Sequence, residues 1–101
     1  MNDDPGSGST PLTVHHDEAA GRFYADVDGH RCVCDYRRQG DTLLFTHTEV
    51  APQLAGRGIA AALVDAALEW ARSQGLRVRP LCSYVAAYMR RHPRTQDLLA
   101  R

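Results

Sequence analysis

The sequence contains no lysine: all 12 of its Lys+Arg residues are arginines. That absence removes a Walker-type phosphate loop, a Schiff-base enzyme and an ammonium nucleophile, each of which needs a side-chain amine. An excess of charge is missing too, because 12 Asp+Glu balance the arginines and the formal net charge is zero. Counterion release then has little to drive non-specific binding, and no nucleic-acid partner is expected. Long hydrophobic runs are absent. The longest mainly apolar stretch, Ile59 to Val64, stops at Asp65, far short of the ~20 residues of a membrane span. Cysteine is scarce and odd in number, 3 in all. Cys32 and Cys34, two apart on a strand, share a face but stand too far apart for an easy bridge. No disulfide framework follows, and the start MNDDPGSGSTP lacks the basic-then-apolar layout of a signal peptide. Both features point to a reducing cytoplasm.

What is present suits one small domain: 101 residues, 44% hydrophobic and 24% charged. Residues 1–11 read as a flexible tail and 12–101 as the domain. Thr13 to His16 is a first strand, turning near Gly21. Arg22 to Val27 alternates apolar and polar residues, Asp28–Gly29 is a two-residue hairpin signal, and His30 to Arg38 follows as the next strand. Gly40–Asp41 turns the chain into a longer strand, Thr42 to Val50. The period then changes. From Gly58 to Gln74, Ile59, Ala62, Leu63, Ala66, Ala67 and Trp70 recur at helical spacing, and Gly75 stops the helix. Leu76 to Leu81 is a short strand, and Ser83 caps a second helix that ends before His92–Pro93. Thr95 to Arg101 is too short to assign. The fold class is α+β: a mixed, mostly antiparallel sheet in which four antiparallel strands feed one crossover.

The segment joining the two regimes carries the chemistry. Gln53-Leu54-Ala55-Gly56-Arg57-Gly58-Ile59-Ala60 is a turn with a Gly-x-Gly pair opening a helix. Its glycines allow close backbone approach, and the helix start presents free N–H groups and a positive dipole end, an arrangement suited to phosphate. Arg57 adds a positive charge between the glycines. A tight turn serving only backbone geometry is the alternative.

Gln53-x-x-Gly56-x-Gly58-Ile59-Ala60, after a strand and before an Ala/Leu-rich helix, resembles the acyl-CoA pyrophosphate motif of the GNAT superfamily of N-acetyltransferases. A second match follows at Arg79-Pro80-Leu81-Cys82-Ser83-Tyr84, in a segment closed by Arg91-His92-Pro93. Together these look like the small, single-domain GNAT-like proteins of unassigned substrate. The resemblance covers about Val14 to Leu99. It implies a sheet splayed between its middle strands with acetyl-CoA (CoA after transfer) in the opening. The backbone of Thr48 to Val50 would pair with the pantetheine arm, and the N–H groups from Leu54 to Ala60 would hold the pyrophosphate. Larger members carry helices where this chain has a few residues near Gly21. The expected domain is therefore a minimal version lacking the N-terminal helices, with an acceptor site open to a protein or peptide amine or a small amine. A monomer or weak homodimer is expected. The alternative is a non-catalytic acyl-CoA-binding module acting through a protein partner.

Acyl transfer requires a deprotonated amine, a stabilised carbonyl oxygen and a leaving thiolate. Cys82, where the last strand meets a helix start, sits in a setting that lowers a thiol's pKa. It is a candidate to take the acetyl group or to stand beside the CoA sulfur, or else it is a small buried hydrophobe. His47 and Glu49, two apart on β-spacing and read as sharing a face with Leu43 and Phe45, are candidate bases or solvated strand-end residues. The resemblance offers Tyr88 as the acid that protonates the departing thiolate, with packing as its other role. Arg90 and Arg91 would reach the adenosine phosphate or simply complement the helix end. His30, Cys32 and Cys34 lie along one strand face, but three ligands in an extended line do not close a tetrahedral shell, and no metal is expected.

Overall fold

The computed structural model describes residues 12 to 100. The acidic segment read as a tail, residues 1–11, lies outside them, as does residue 101. Five strands form one sheet: β1 (His15–Asp17), β2 (Arg22–Val27), β3 (His30–Gln39), β4 (Thr42–Glu49) and β5 (Arg77–Pro80), in that spatial order. Helix α1 (Ile59–Ser73) crosses from β4 to β5, and α2 (Ser83–Arg91) follows β5. The first four strands pair antiparallel, while β4 and β5 run parallel.

Local chemistry sets each turn. Asp28 and Gly29 both take positive φ, +50° and +79°, the geometry that lets a two-residue turn match the twist of its strands. Gly21 also has positive φ, and a Cβ there would collide with the Tyr36 carbonyl oxygen. Its own carbonyl accepts the Tyr36 N–H at 2.8 Å, so β1 enters the sheet through a position that only glycine fits. Strand β1, His15–Asp17, starts two residues later and ends one residue later than the expected Thr13 to His16. The pairing His16↔Phe23 sets it, stacking the two rings with centroids 3.9 Å apart. Helix α1 ends as Gly75 donates to the Arg72 carbonyl and Leu76 to that of Ala71, the left-handed glycine cap.

Alternation along β4 breaks at one residue. Tyr36 pairs with Phe45 but Asp35 pairs with His47, so Thr46 is an extra residue bulged out of the ladder. Directly paired residues share a face, and an inserted residue reverses every face after it. Leu43 and Phe45 therefore point into the core, as does Thr48, which pairs with buried Cys34. His47 and Glu49 pair with Asp35 and Val33 and lie on the opposite face. The expectation that His47 and Glu49 share a face with Leu43 and Phe45 is corrected by this bulge.

One core holds the domain together. Phe23, Ala25, Cys32, Cys34, Tyr36, Leu43, Phe45 and Val78 meet Leu63, Val64, Ala67, Leu68 and Ala71 of α1 and Val85 and Met89 of α2. The buried stripe of α1 is rotated slightly from the predicted one, because Val64, Leu68 and Ala71 carry it while Ala66 and Trp70 only flank it. The outer face is not covered by either helix. It bears the ion pairs Arg22–Asp35 at 2.7 Å and Arg31–Asp26 at 2.8 Å, with Arg31 over the Tyr24 ring. The C-terminal residues, unassigned from sequence, form a 3-10 helix (Pro93–Leu98) and then run along β5, with Leu99 bridged to Val78.

Candidate acyl-transfer site

Strands β4 and β5 are zipped together only from Thr42↔Arg77 to Phe45↔Pro80. The Cys82 N–H donates to the Phe45 carbonyl at 2.8 Å, beyond the last paired residues. Past this point the bulge at Thr46 and the turn into α2 carry the strands apart, and His47 to Glu49 have no β5 residue opposite them. The parted end leads directly into the glycine turn.

That turn is anchored by Leu54, the buried last residue of a 3-10 segment, Pro52–Leu54. Gly56 and Gly58 have φ of +85° and +77°, and nothing lies within 4 Å of where a Cβ would stand on either. They are glycines because of the left-handed backbone, and the space beside them is open. The first helical bond of α1 runs from the Ala62 N–H to the Gly58 carbonyl, so the N–H groups of Ile59, Ala60 and Ala61 have no partner within the helix. No acidic side chain occupies the first turn. The expected set of phosphate-facing amides narrows, however. Leu54 and Ala55 already donate to the Ala51 and Pro52 carbonyls, so the available backbone starts at Gly56. Arg57 is not free either: its Nη1 donates to Asp28 Oδ2 at 3.0 Å. The Gln53 side chain lies 3.1 Å from His30 Nε2. Two side-chain contacts thus join the β2–β3 turn to the glycine turn, and neither is signalled by spacing, since the partners are 29 and 23 residues apart.

At the inner corner of the opening stand Cys82 and Thr48. The Cys82 thiol donates to Thr48 Oγ1 at 3.5 Å, and that hydroxyl points on to Cys34 Sγ at 3.9 Å. Cys82 itself, rather than Ser83, is the N-cap residue of α2. Burial acts to raise its pKa, but the Thr48 hydroxyl and the N–H groups of Val85, Tyr84 and Thr48 outweigh that, and the thiol lies below its ordinary value. The helix N–H groups act on the sulfur without making a full capping hydrogen bond. Cys34 is the opposite case: burial pushes its thiol up to about 12. One sulfur is tuned toward thiolate and the other is held neutral. The role of the Thr48 side chain is missed by a reading that uses only its backbone, because the bulge that turns it inward is invisible to period-two alternation.

His47 Nε2 and Glu49 Oε1 are 2.9 Å apart on the exposed outer face. The glutamate orients the imidazole and leaves its other nitrogen to solvent. Tyr88 is buried, its ring stacked on His92 at 3.9 Å and its hydroxyl 3.4 Å from Asp65 of α1. Burial and then the Asp65 carboxylate raise its pKa, which favours the protonated phenol. The hydroxyl is directed at α1 rather than at Cys82. Tyr84 and Leu81, beside Cys82, are the exposed apolar residues of this corner. Arg91 is exposed in the last turn of α2, at the other end of the helix from Cys82. Val50 packs at the edge of the core where β4 leaves the sheet. Cys32 and Cys34 are buried, while His30 turns to Gln53.

A mixed sheet parted between two parallel strands, with a left-handed glycine turn opening the crossover helix, defines the class of GNAT-fold acyltransferase domains. A family model described as GCN5-related N-acetyl-transferase matches residues 22–98. Protein NATD1 of Gallus gallus is 33% identical over 91 residues, covering 87% of this chain and 83% of that one. Protein NATD1 of Homo sapiens is likewise 33% identical, with 80% of its length covered. Among solved structures, the NMR structure of a GCN5-like protein from Staphylococcus aureus matches with a TM-score of 0.71 at 25% identity, covering 88% of both chains. The chain belongs to the GCN5-related N-acetyltransferase family.

Proposed function

We propose that this domain transfers an acetyl group from acetyl-CoA to a primary amine. The observation that carries the proposal is the parted β4–β5 seam, which has free helix-start amides at one end and the Cys82–Thr48 pair at its inner corner. The turn fits a diphosphate: open space beside two left-handed glycines, helix-start N–H groups with no partner among the described residues, and no first-turn carboxylate. Gly56, Arg57, Gly58, Ile59 and Ala60 would hold it, with Gln53 at the rim. The backbone of Thr48 to Val50, having no β5 neighbour, would pair with the pantetheine amides.

Acetyl-CoA supplies an activated thioester carbonyl. The acceptor amine forms the new C–N bond as the C–S bond breaks and CoA leaves as its thiolate. His47, oriented by Glu49, takes the ammonium proton on the open outer face, and the second proton shed by the nitrogen as the amide forms ends on the departing thiolate, giving CoA thiol. Among the described residues neither helix covers that face, which suits a protein or peptide tail as readily as a small amine. Cys82 either lines the carbonyl site or receives the acetyl group first, in which case CoA is released before the amine attacks Cys82 S-acetyl carbon and restores the thiol.

Titration with CoA should shift the amides of Gly56, Gly58 and Ile59 and leave those of the β2 strand in place. Unmoved turn amides at ~1 mM ligand, weaker than most small-molecule cosubstrates bind, would sink the proposal. Incubation with acetyl-CoA followed by mass spectrometry separates the two routes, because a lysine-free chain offers no ε-amine. A thiol-labile acetyl that disappears in Cys82→Ala supports the covalent route, whereas full transfer by that variant leaves direct attack. The uncovered outer face also favours a second reading, a module that binds acyl-CoA and presents it to a protein partner. CoA binding with no release of CoA thiol across a panel of amines and peptides would select it.

A further inference from the structure

The two contacts between the β2–β3 turn and the glycine turn bear on how tightly a phosphate ligand is held. Arg57 is the cation set between the two left-handed glycines, and in the bare protein its Nη1 is taken by Asp28 Oδ2 at 3.0 Å. Both side chains are more than half exposed, 53% for Arg57 and 63% for Asp28. An exposed pair of this kind is weak and exchangeable. Asp28 is nevertheless a fixed feature, because it occupies the positive-φ position of a tight hairpin turn, and the neighbouring His30 tethers that turn to Gln53 at 3.1 Å.

We infer that Asp28 is an intramolecular competitor for the phosphate-binding cation, setting the affinity of the site for the diphosphate of a CoA-type ligand. This rests on the reading of the glycine turn as the CoA diphosphate site. A doubly charged diphosphate on the α1 amides draws Arg57 from a single carboxylate. The displaced carboxylate stays on the tethered hairpin and repels the ligand, so binding is weaker than the glycine turn and Arg57 would give alone. The same repulsion speeds loss of CoA after transfer, a step that often limits turnover. Asp28 therefore acts on affinity and release without touching the reacting atoms.

The test uses Asp28→Asn and Asp28→Gly, two residues that keep a positive-φ turn. CoA is titrated by calorimetry into the full chain and both variants, with pantetheine as the ligand lacking phosphates. Both variants should bind CoA about threefold to tenfold more tightly than the parent chain, the range expected from freeing an exposed ion-pair partner and removing a nearby like charge. Pantetheine binding should not change. Unchanged or weaker CoA binding by both variants, with the parent chain binding normally, overturns the inference and leaves the CoA reading standing. An equal gain for pantetheine overturns it as well, since the effect would not run through phosphate. No CoA binding by any of the three chains overturns both readings together.

Discussion

The seam between β4 and β5 has two halves of four β4 residues each, and they differ in almost every respect. From Thr42 to Phe45 the strands are paired, and Leu43, Phe45 and Val78 are fully buried. From Thr46 to Glu49 there is no β5 partner, and Thr46, His47 and Glu49 are exposed. The paired half acts as a hinge pin for the domain: its apolar side chains hold the sheet to α1 and α2. The open half inherits rigid positions from it while keeping backbone groups and polar side chains free. A short strand can thus be paired and packed at one end and open at the other, provided that something stops the pairing. Here the bulge at Thr46 and the Cys82–Phe45 hydrogen bond do so.

Breaking the paired half should have the largest effect. Phe45→Ala removes a fully buried ring and should cost about 3–5 kcal/mol, a large share of the ~5–15 kcal/mol typical of a domain. Urea unfolding would measure it, and a loss below 1 kcal/mol would mean that the seam is not what holds the sheet. A second test separates the two sulfurs that flank Thr48. Cys34 is raised from 9.0 to about 12 in the folded chain. Between those values the unfolded chain has released its proton and the folded one has not, so stability is complete below pH 9 and falls as pH rises, by up to ~1.4 kcal/mol per pH unit. Tyr36 and Tyr88, both raised chiefly by burial, act in the same direction. Cys82, lowered by its hydrogen bonds, should be alkylated by iodoacetamide near neutral pH while Cys34 stays unmodified. Labelling of Cys34 at the same rate would erase the contrast. The smallest effect belongs to the open half: Glu49→Gln removes an exposed pair and should shift unfolding stability by less than about 0.5 kcal/mol. Its acetyl-transfer rate should fall through kcat more than KM if His47 is the base it orients.

How legible this was depends on the range of the interaction. The hairpin from Arg22 to Gln39 and the helix after Gly58 follow from alternation, Asp28–Gly29 and helical spacing, all local signals. The glycine turn was also evident, since its residues are contiguous. What escaped was decided by partners far along the chain. The bulge exists only in the pairing of β4 with β3, so its reversal of His47, Thr48 and Glu49 has no mark in β4 alone. Arg57 meets Asp28, Gln53 meets His30, and Thr48 meets Cys34 and Cys82 through tertiary contacts of the same kind. The C-terminal run is too short to assign from its own residues, yet Thr95 and Gln96 satisfy the Met89 carbonyl at the end of α2, and the Ala100 N–H donates to the Val78 carbonyl. Burial against an existing edge stabilised what propensity could not.

The single extra residue at Thr46 works as a change of reading frame for side chains. Upstream of it, odd-numbered positions of β4 belong to the dry interior; downstream, the even-numbered one does. Deleting Thr46 would remove the bulge and leave Phe45, His47, Thr48 and Glu49 opposite the β3 residues they already face, whereas pairing Thr46 with Asp35 in a regular ladder would place the His47 and Glu49 side chains in the core and expel Thr48, removing the partner of both sulfurs. The strand's two halves are thereby uncoupled: His47 and Glu49 are not answerable to the packing rule that governs Leu43 and Phe45. In that sense His47 and Glu49 stay out of the core although they share its numbering parity, because the ladder steps over one residue.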